Sequence, residues 1–345
     1  MTTQYRWAVL GCGKIARKFA EDLKLLPNAK LYAAASRNLL RAEEFADQLG
    51  FEKAYGSYTD LVEDPKVDIV YIATPHSYHR EHALLCLAHK KATLCEKAFA
   101  INAREAREMI ACAKENNTFL MEAFWTRFQP AFLKATEILQ SEKLGKLKMV
   151  RSDFAFNAEK DASQRLYNID LGGGSLLDIG IYPVFASLMA LGKPTEIKTH
   201  TQFGFTECEE SIIMSFKYAN NAMASLVSSF ASHSSIQTEY WCEQGYLRLN
   251  KRWFANAQIS IWEKGMQREE TVPVEAIQGK GYQYEAAHVM QCLDEGKIES
   301  DMMSLQTTLD LLEILDRVRA DAGIIFPKHD LSPPKDNELL AKRSD

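Results

Sequence analysis

The residues Gly11-Cys12-Gly13-Lys14-Ile15-Ala16 have the form GxGxxA and directly follow a short apolar run. Glycines at that spacing permit a tight turn and close backbone approach. A helix opening there offers unpaired N–H groups to a pyrophosphate. About 20 residues further on, a chain that binds NAD usually carries an acid for the ribose hydroxyls. This chain has Ser36-Arg37-Asn38 instead. A guanidinium matches a 2′-phosphate by charge and fork geometry, and Ser36 adds a hydroxyl donor. NADP is therefore expected in preference to NAD. Thr74-Pro75-His76 and Cys95-Glu96-Lys97 each follow an apolar run, and Asp178 and Tyr182 stand four apart after the triple glycine at 172–174. A partly desolvated Lys97 beside a cationic nicotinamide should have a depressed pKa. With a carboxylate and a phenol nearby, it forms an acid–base group suited to oxidising an alcohol or reducing a carbonyl.

These residues need elements to position them. Up to residue 123 the chain alternates apolar strand-like runs (7–10, 31–35, 67–73, 92–95, 118–123) with helical patterns (from 15, 39–49, 78–88, 103–115). That alternation predicts a parallel, doubly wound sheet, with the loops at 74–76 and 95–97 at its carboxyl end and lining one cleft. After about residue 124 the pattern changes. A helix over 130–139, a long strand over 146–156 and a helix over 175–190 precede seven runs of period-two character between 196 and 272. Asn220-Asn221 and Gln244-Gly245 read as hairpin turns. Helices over 284–295 and 304–322 close the chain. The fold class is thus α/β: a doubly wound nucleotide-binding domain (1–124) followed by an α+β domain with a large, mostly antiparallel sheet (125–345).

Composition narrows the partners. Lys+Arg number 41 against 46 Asp+Glu, a net charge of −5 over 345 residues, so nucleic acid is not the expected partner. No apolar run approaches the roughly 20 residues needed to span a bilayer, and MTTQYRWAVLG does not read as a secretory signal. The seven cysteines are scattered without a CxxC pair and read as free thiols in a reducing, cytoplasmic setting.

In combination, GCGKIA, ATPHSYH, LCEKAFAINAREAREM, MEAFWTRFQP and GGGSLLDIGIYP resemble the Gfo/Idh/MocA oxidoreductases over essentially the whole chain. Within that family they are most similar to the dimeric dihydrodiol dehydrogenases and NADP-dependent sugar (xylose) dehydrogenases. The resemblance implies a Rossmann domain, an open C-terminal sheet that forms a homodimer, and hydride transfer between NADP and a hydroxyl or carbonyl carbon of a cyclic diol or sugar. It also implies that Lys97, Asp178 and Tyr182 are catalytic, that His79 lies near the nicotinamide, and that Trp125 and Arg127 border cofactor and substrate. One departure stands out. The family pattern has Pro after Glu-Lys, whereas this chain has Ala98. Proline would fix φ and stiffen the turn that aims Lys97, so its absence leaves loosening of the site, lower activity or simple tolerance open.

His76, His79 and His82 crowd one segment, but their spacing is not that of a helical zinc pair, so no metal is expected. A non-catalytic NADP-binding sensor of the same fold would be expected to lose Lys97 or the Asp178/Tyr182 pair, and this chain keeps them. Glu285 and His288 share a helix face that could form a second rim of the cleft.

Overall fold

A computed structural model describes residues 3–330. Strands β1 (Tyr5–Leu10), β2 (Ala29–Ala35), β3 (Lys53–Tyr55), β4 (Ile69–Ile72), β5 (Ala92–Glu96) and β6 (Leu120–Ala123) form a parallel sheet in the order β3-β2-β1-β4-β5-β6. Every residue of β4 is fully buried, which is why that run is β-branched and continuous rather than alternating. Helices α1 (Lys14–Leu23), α2 (Leu39–Leu49), α3 (Tyr58–Glu63), α4 (His79–Ala88) and α5 (Ala103–Glu115) supply the crossovers. The strand order reverses between β1 and β4, and a crevice opens at the carboxyl ends of such strands.

A 3-10 turn (Trp125–Phe128) and α6 (Pro130–Gln140) lead into the second sheet. Its eight strands are β7 (Leu147–Ala155), β8 (Glu196–Phe203), β9 (Glu209–Lys217), β10 (Met223–Ser229), β11 (Thr238–Cys242), β12 (Gly245–Leu249), β13 (Ile259–Glu263) and β14 (Glu270–Val272). They run β14-β13-β12-β11-β7-β10-β9-β8. All neighbours pair antiparallel except β7 and β10, which are parallel. Helices α7 (Ile181–Leu191) and α9 (Leu305–Ala322) pack on one face, against residues such as Met214, Phe216 and Leu226. On the other face Ile213, Met223 and Trp241 are exposed. The remaining long helix, α8 (Tyr282–Asp294), packs against α1 of the first domain.

Three features depart from the sequence expectations. Strand β3 and helix α3 were not anticipated, because three and six residues are too short to display a period. The helix expected over 175–190 is divided: Leu176–Gly180 is a π-helical turn, and α7 begins only at Ile181. Finally, one stretch, Ile169–Leu191, does meet the length and hydropathy for a membrane span, but 78% of its apolar window is buried inside the fold. It is apolar because it packs against β7 and β10 of the second sheet and against α9.

Candidate active site

A cleft of about 840 Å³ runs from the carboxyl ends of β1, β2, β4 and β5 to the π-helical turn of the second domain. Its floor at one end is the glycine turn. Gly11 has φ +103°, and a Cβ there would sit 3.0 Å from the Ala73 carbonyl oxygen, so only glycine fits between β1 and the loop after β4. Gly13 is the N-cap of α1 and carries no side chain to cap the first N–H groups. Those donors and the positive end of the helix are left for an anion, which is the fit a dinucleotide pyrophosphate requires. Cys12, Lys14 and Ile15 line the same wall.

At the adjoining edge, Ser36 and Arg37 line the cleft together with Arg41, Tyr58 and Lys18. The Arg37 guanidinium lies 5.6 Å from the centre of the Tyr78 ring, and Arg41 Nη2 donates to the Cys12 carbonyl at 3.1 Å. Two guanidiniums, a lysine and a hydroxyl thus line this part of the cleft, a cationic lining that suits a phosphate. Arg41 and Lys18 escaped the sequence reading because helix α2 and the second turn of α1 bring them in from outside the motif.

The candidate acid–base residues sit at the other end. Lys97 Nζ donates to the Asp178 backbone carbonyl at 2.6 Å, and Asp178 Oδ1 stands 3.5 Å from the same nitrogen. Arg165 Nη2 pairs with Asp178 Oδ1 at 2.8 Å. Burial by itself would raise Asp178, but the Arg165 guanidinium and the Lys97 ammonium outweigh it and hold the carboxyl well below the usual range. Lys97 Nζ also lies 5.2 Å from the centre of the Tyr182 ring. The Tyr182 hydroxyl accepts a hydrogen bond from Trp125 Nε1 at 3.0 Å, leaving its own proton free to donate. Burial pushes that phenol up, so it is neutral. Trp125 is held in turn by stacking on Tyr282, centroids 4.5 Å apart.

Beneath Lys97, Glu96 is buried, receives the Tyr71 hydroxyl and is pushed up to about 7 by burial. Thr74 and Pro75 line the cleft, as does His76, whose Nδ1 lies 3.3 Å from the Gly172 carbonyl oxygen. The Lys97–Ala98 peptide is cis. The turn is not left unbraced by the loss of proline: the Ala98 carbonyl oxygen lies 2.8 Å from His79 Nδ1, and Phe99 N–H donates to Glu122.

Four residues expected at the cofactor do not line the cleft. Ala16 is fully buried against the sheet and serves close helix–strand packing. Asn38 is the N-cap of α2, its side chain accepting from Arg41 N–H at 3.2 Å. His79 has no exposure, and its two ring nitrogens each lie 2.8 Å from a carbonyl oxygen, of Ala98 and of Thr74. Burial pushes it down to about 4, so the ring is neutral, its one N–H serves only one of the two carbonyls, and it packs behind the cleft between the two loops. Arg127 is turned away by the 3-10 geometry that points Trp125 inward, and its Nε donates to the Met302 carbonyl at 2.9 Å. The second-rim expectation also fails: Glu285 is wholly buried and His288 faces Ser300 rather than the cleft. His82 meets the Thr74 hydroxyl at 3.0 Å, so the three histidines of this segment serve three different contacts. Arg165, conversely, was missed, because it lies in an irregular stretch with no periodicity to mark it.

A Rossmann sheet whose cleft is closed by a second, mostly antiparallel sheet defines a two-domain dinucleotide-dependent enzyme architecture. Residues 5–124 match the model of an oxidoreductase family with an NAD-binding Rossmann fold, and residues 132–248 match a GFO/IDH/MocA C-terminal domain. The chain is 36% identical over 332 residues to trans-1,2-dihydrobenzene-1,2-diol dehydrogenase of Mus musculus, covering 94% of this chain and 98% of that protein. It is also 36% identical to the Sus scrofa protein of that name over 335 residues, with 94% and 98% covered. Among solved structures, the aldose-aldose oxidoreductase of Caulobacter crescentus complexed with glycerol superposes with a TM-score of 0.85 at 23% identity, over 93% of this chain and 98% of that one. The chain belongs to the Gfo/Idh/MocA oxidoreductase family.

Proposed function

We propose that this chain is an NADP-dependent dehydrogenase or reductase acting on a hydroxyl or carbonyl carbon of a cyclic diol or an aldose-type sugar. The observation that carries this reading is the convergence of Lys97, Asp178 and Tyr182 at one end of a cleft whose other end holds the glycine turn. The names of the relatives, diol dehydrogenases and an aldose oxidoreductase, support the same substrate class. A sensor has no need of that acid–base group.

The bound nicotinamide would supply or accept the hydride. The chain's own residues do the rest. Gly11, Gly13 and the α1 N-terminus hold the pyrophosphate, and Ser36, Arg37 and Arg41 favour a 2′-phosphate over a bare ribose. In the reducing direction Tyr182 donates its hydroxyl proton to the oxygen of the reacting carbon, while Lys97 presents positive charge to the same oxygen. Asp178, anchored by Arg165, holds Lys97 in place. Trp125 and Tyr282 supply the apolar wall that excludes water.

The chain is further proposed to work in the cytoplasm as a homodimer joined through the exposed face of the second sheet. Ile213, Met223 and Trp241 lie on that face beside a hollow of about 650 Å³. The test of the activity is a panel of trans-diols, aldoses and their oxidised counterparts, each assayed with NADPH/NADP and NADH/NAD. Turnover of at least one diol or sugar, faster with the phosphorylated cofactor, is the expected result. Cofactor binding without turnover of any member would overturn it in favour of a sensor.

A further inference from the structure

Helix α8 carries His288 and Cys292 four residues apart, so both side chains fall on one face. The following loop returns Asp301 to that face. Cys292 Sγ lies 3.4 Å from His288 Nε2, Asp301 Oδ1 lies 3.6 Å from the same nitrogen, and all three atoms fall within 4.8 Å of one another. Tetrahedral zinc, with Zn–N and Zn–O of about 2.0–2.2 Å and Zn–S of about 2.3 Å, requires ligand atoms about 3.3–3.6 Å apart. The two separations from His288 Nε2 match that spacing, and Cys292 Sγ and Asp301 lie within 4.8 Å of each other.

The hydrogen bonds around the cluster orient it for a cation. Ser300 Oγ accepts from the Met302 and Met303 N–H groups at 3.0 and 2.9 Å, so its own proton is free for His288 Nε2 at 2.7 Å. That nitrogen is therefore unprotonated, the form a metal ligand needs, and an ion would take its lone pair in place of the Ser300 hydroxyl. The second Asp301 oxygen is taken by Lys297 at 2.9 Å, which leaves Oδ1 directed at the histidine. Lys297 opposes a cation by charge, but Glu295 pairs with it at 2.6 Å and offsets part of that field. A nitrogen, a sulfur and a single carboxylate oxygen suit a borderline-soft ion and not magnesium or calcium, which prefer all-oxygen shells.

We propose that His288, Cys292 and Asp301 form a binding site for a divalent cation of the zinc class, outside the catalytic cleft. Binding displaces the thiol proton to solvent and leaves a fourth position for water on the exposed side of Asp301. The ion ties α8 to the loop at 300–303, whose Met302 carbonyl receives Arg127, and α8 begins at Tyr282 in the cleft wall.

Cobalt(II) titration of the chelator-stripped full-length protein is the test. A saturable thiolate-to-cobalt absorption band in the near ultraviolet, at one ion per chain and displaced by Zn²⁺, is the expected result. Cys292→Ser and His288→Gln should abolish the band, and Asp301→Asn, at an exposed carboxylate, should weaken Co²⁺ binding about tenfold or more. If Cys292→Ser does not fold, the exposed Asp301→Asn variant decides. No saturable band in the wild type, or an affinity unchanged by Asp301→Asn, would overturn the proposal.

Discussion

Arg165 and Asp178 are joined at 2.8 Å across a turn that separates them by only 13 residues, one in an irregular segment and the other in the π-helical turn. The guanidinium is the partner that keeps a buried carboxylate ionised beside Lys97. Replacing it, as in Arg165→Met, leaves burial to raise Asp178. The acid limb of the kcat/KM profile should then move to higher pH, because Asp178 takes up its proton sooner as pH falls. Loss of global stability should be modest, about 1 kcal/mol, since Arg165 is 37% exposed and screened by solvent. A pH–rate profile with the acid limb unmoved would remove Arg165 from this role.

Lys97→Met tests the acid–base assignment. Its ammonium sits against Asp178 and over the Tyr182 ring, away from the glycine turn. The variant should lose about 100-fold or more in kcat while its NADPH affinity stays within about a factor of three. Steady-state kinetics and a fluorescence titration with NADPH measure the two quantities separately. Near wild-type turnover would exclude Lys97 from the chemistry.

The proposed preference for NADP rests on Ser36, Arg37 and Arg41, which line one part of the cleft. Arg37→Asp exchanges attraction for repulsion at the 2′-phosphate, so NADPH binding should fall by about tenfold or more and NADH binding should change little. Dissociation constants for both cofactors on wild type and variant decide the point. Equal weakening of both would mean that Arg37 supports the loop rather than reads the phosphate.

Stability should depend on pH through buried carboxyls. Burial pushes Glu96 up to about 7 and Glu122 and Glu209 up to about 8. A group raised in the folded state holds its proton where the unfolded chain has lost it, so folding is favoured at low pH and that contribution fades as pH climbs through the folded value. The buried histidines His79 and His82, both lowered to about 4, act oppositely, but only below about 6.5, where the unfolded imidazoles still bind protons. Between about 6.5 and 8 the carboxyl contribution stands alone, and the melting temperature should decline. Glu122→Gln should flatten that decline. Melting curves across the window provide the check, and a temperature that rises with pH there would contradict it.

The glycine turn, the alternation around β1, β2, β4 and β5, and the spacing of Asp178 and Tyr182 were legible because each depends on residues close in sequence. A tight turn needs glycine, a buried parallel strand needs a continuous apolar run, and two residues four apart on a helix share a face whatever surrounds them. Even the π-helical turn leaves that last relation intact.

What remained hidden depends on long-range return of the chain. Arg165 reaches Asp178 only because the segment before the triple glycine folds back over the cleft, and Arg41 reaches the Cys12 carbonyl from a helix 29 residues away. His79 and Arg127 carry polar side chains that suggest a ligand, yet tertiary packing supplies them with carbonyl oxygens instead. Likewise His288, Cys292 and Asp301 become neighbours only when the loop after α8 turns back. By itself the sequence determined the nucleotide-binding turn and the change of pattern near residue 124, since local sterics and hydrophobic period decide these, while the catalytic candidates came from the family resemblance of its motifs. Which polar groups face the cleft and which brace it was settled by the tertiary structure alone, because a buried donor takes whatever acceptor the packed chain places beside it.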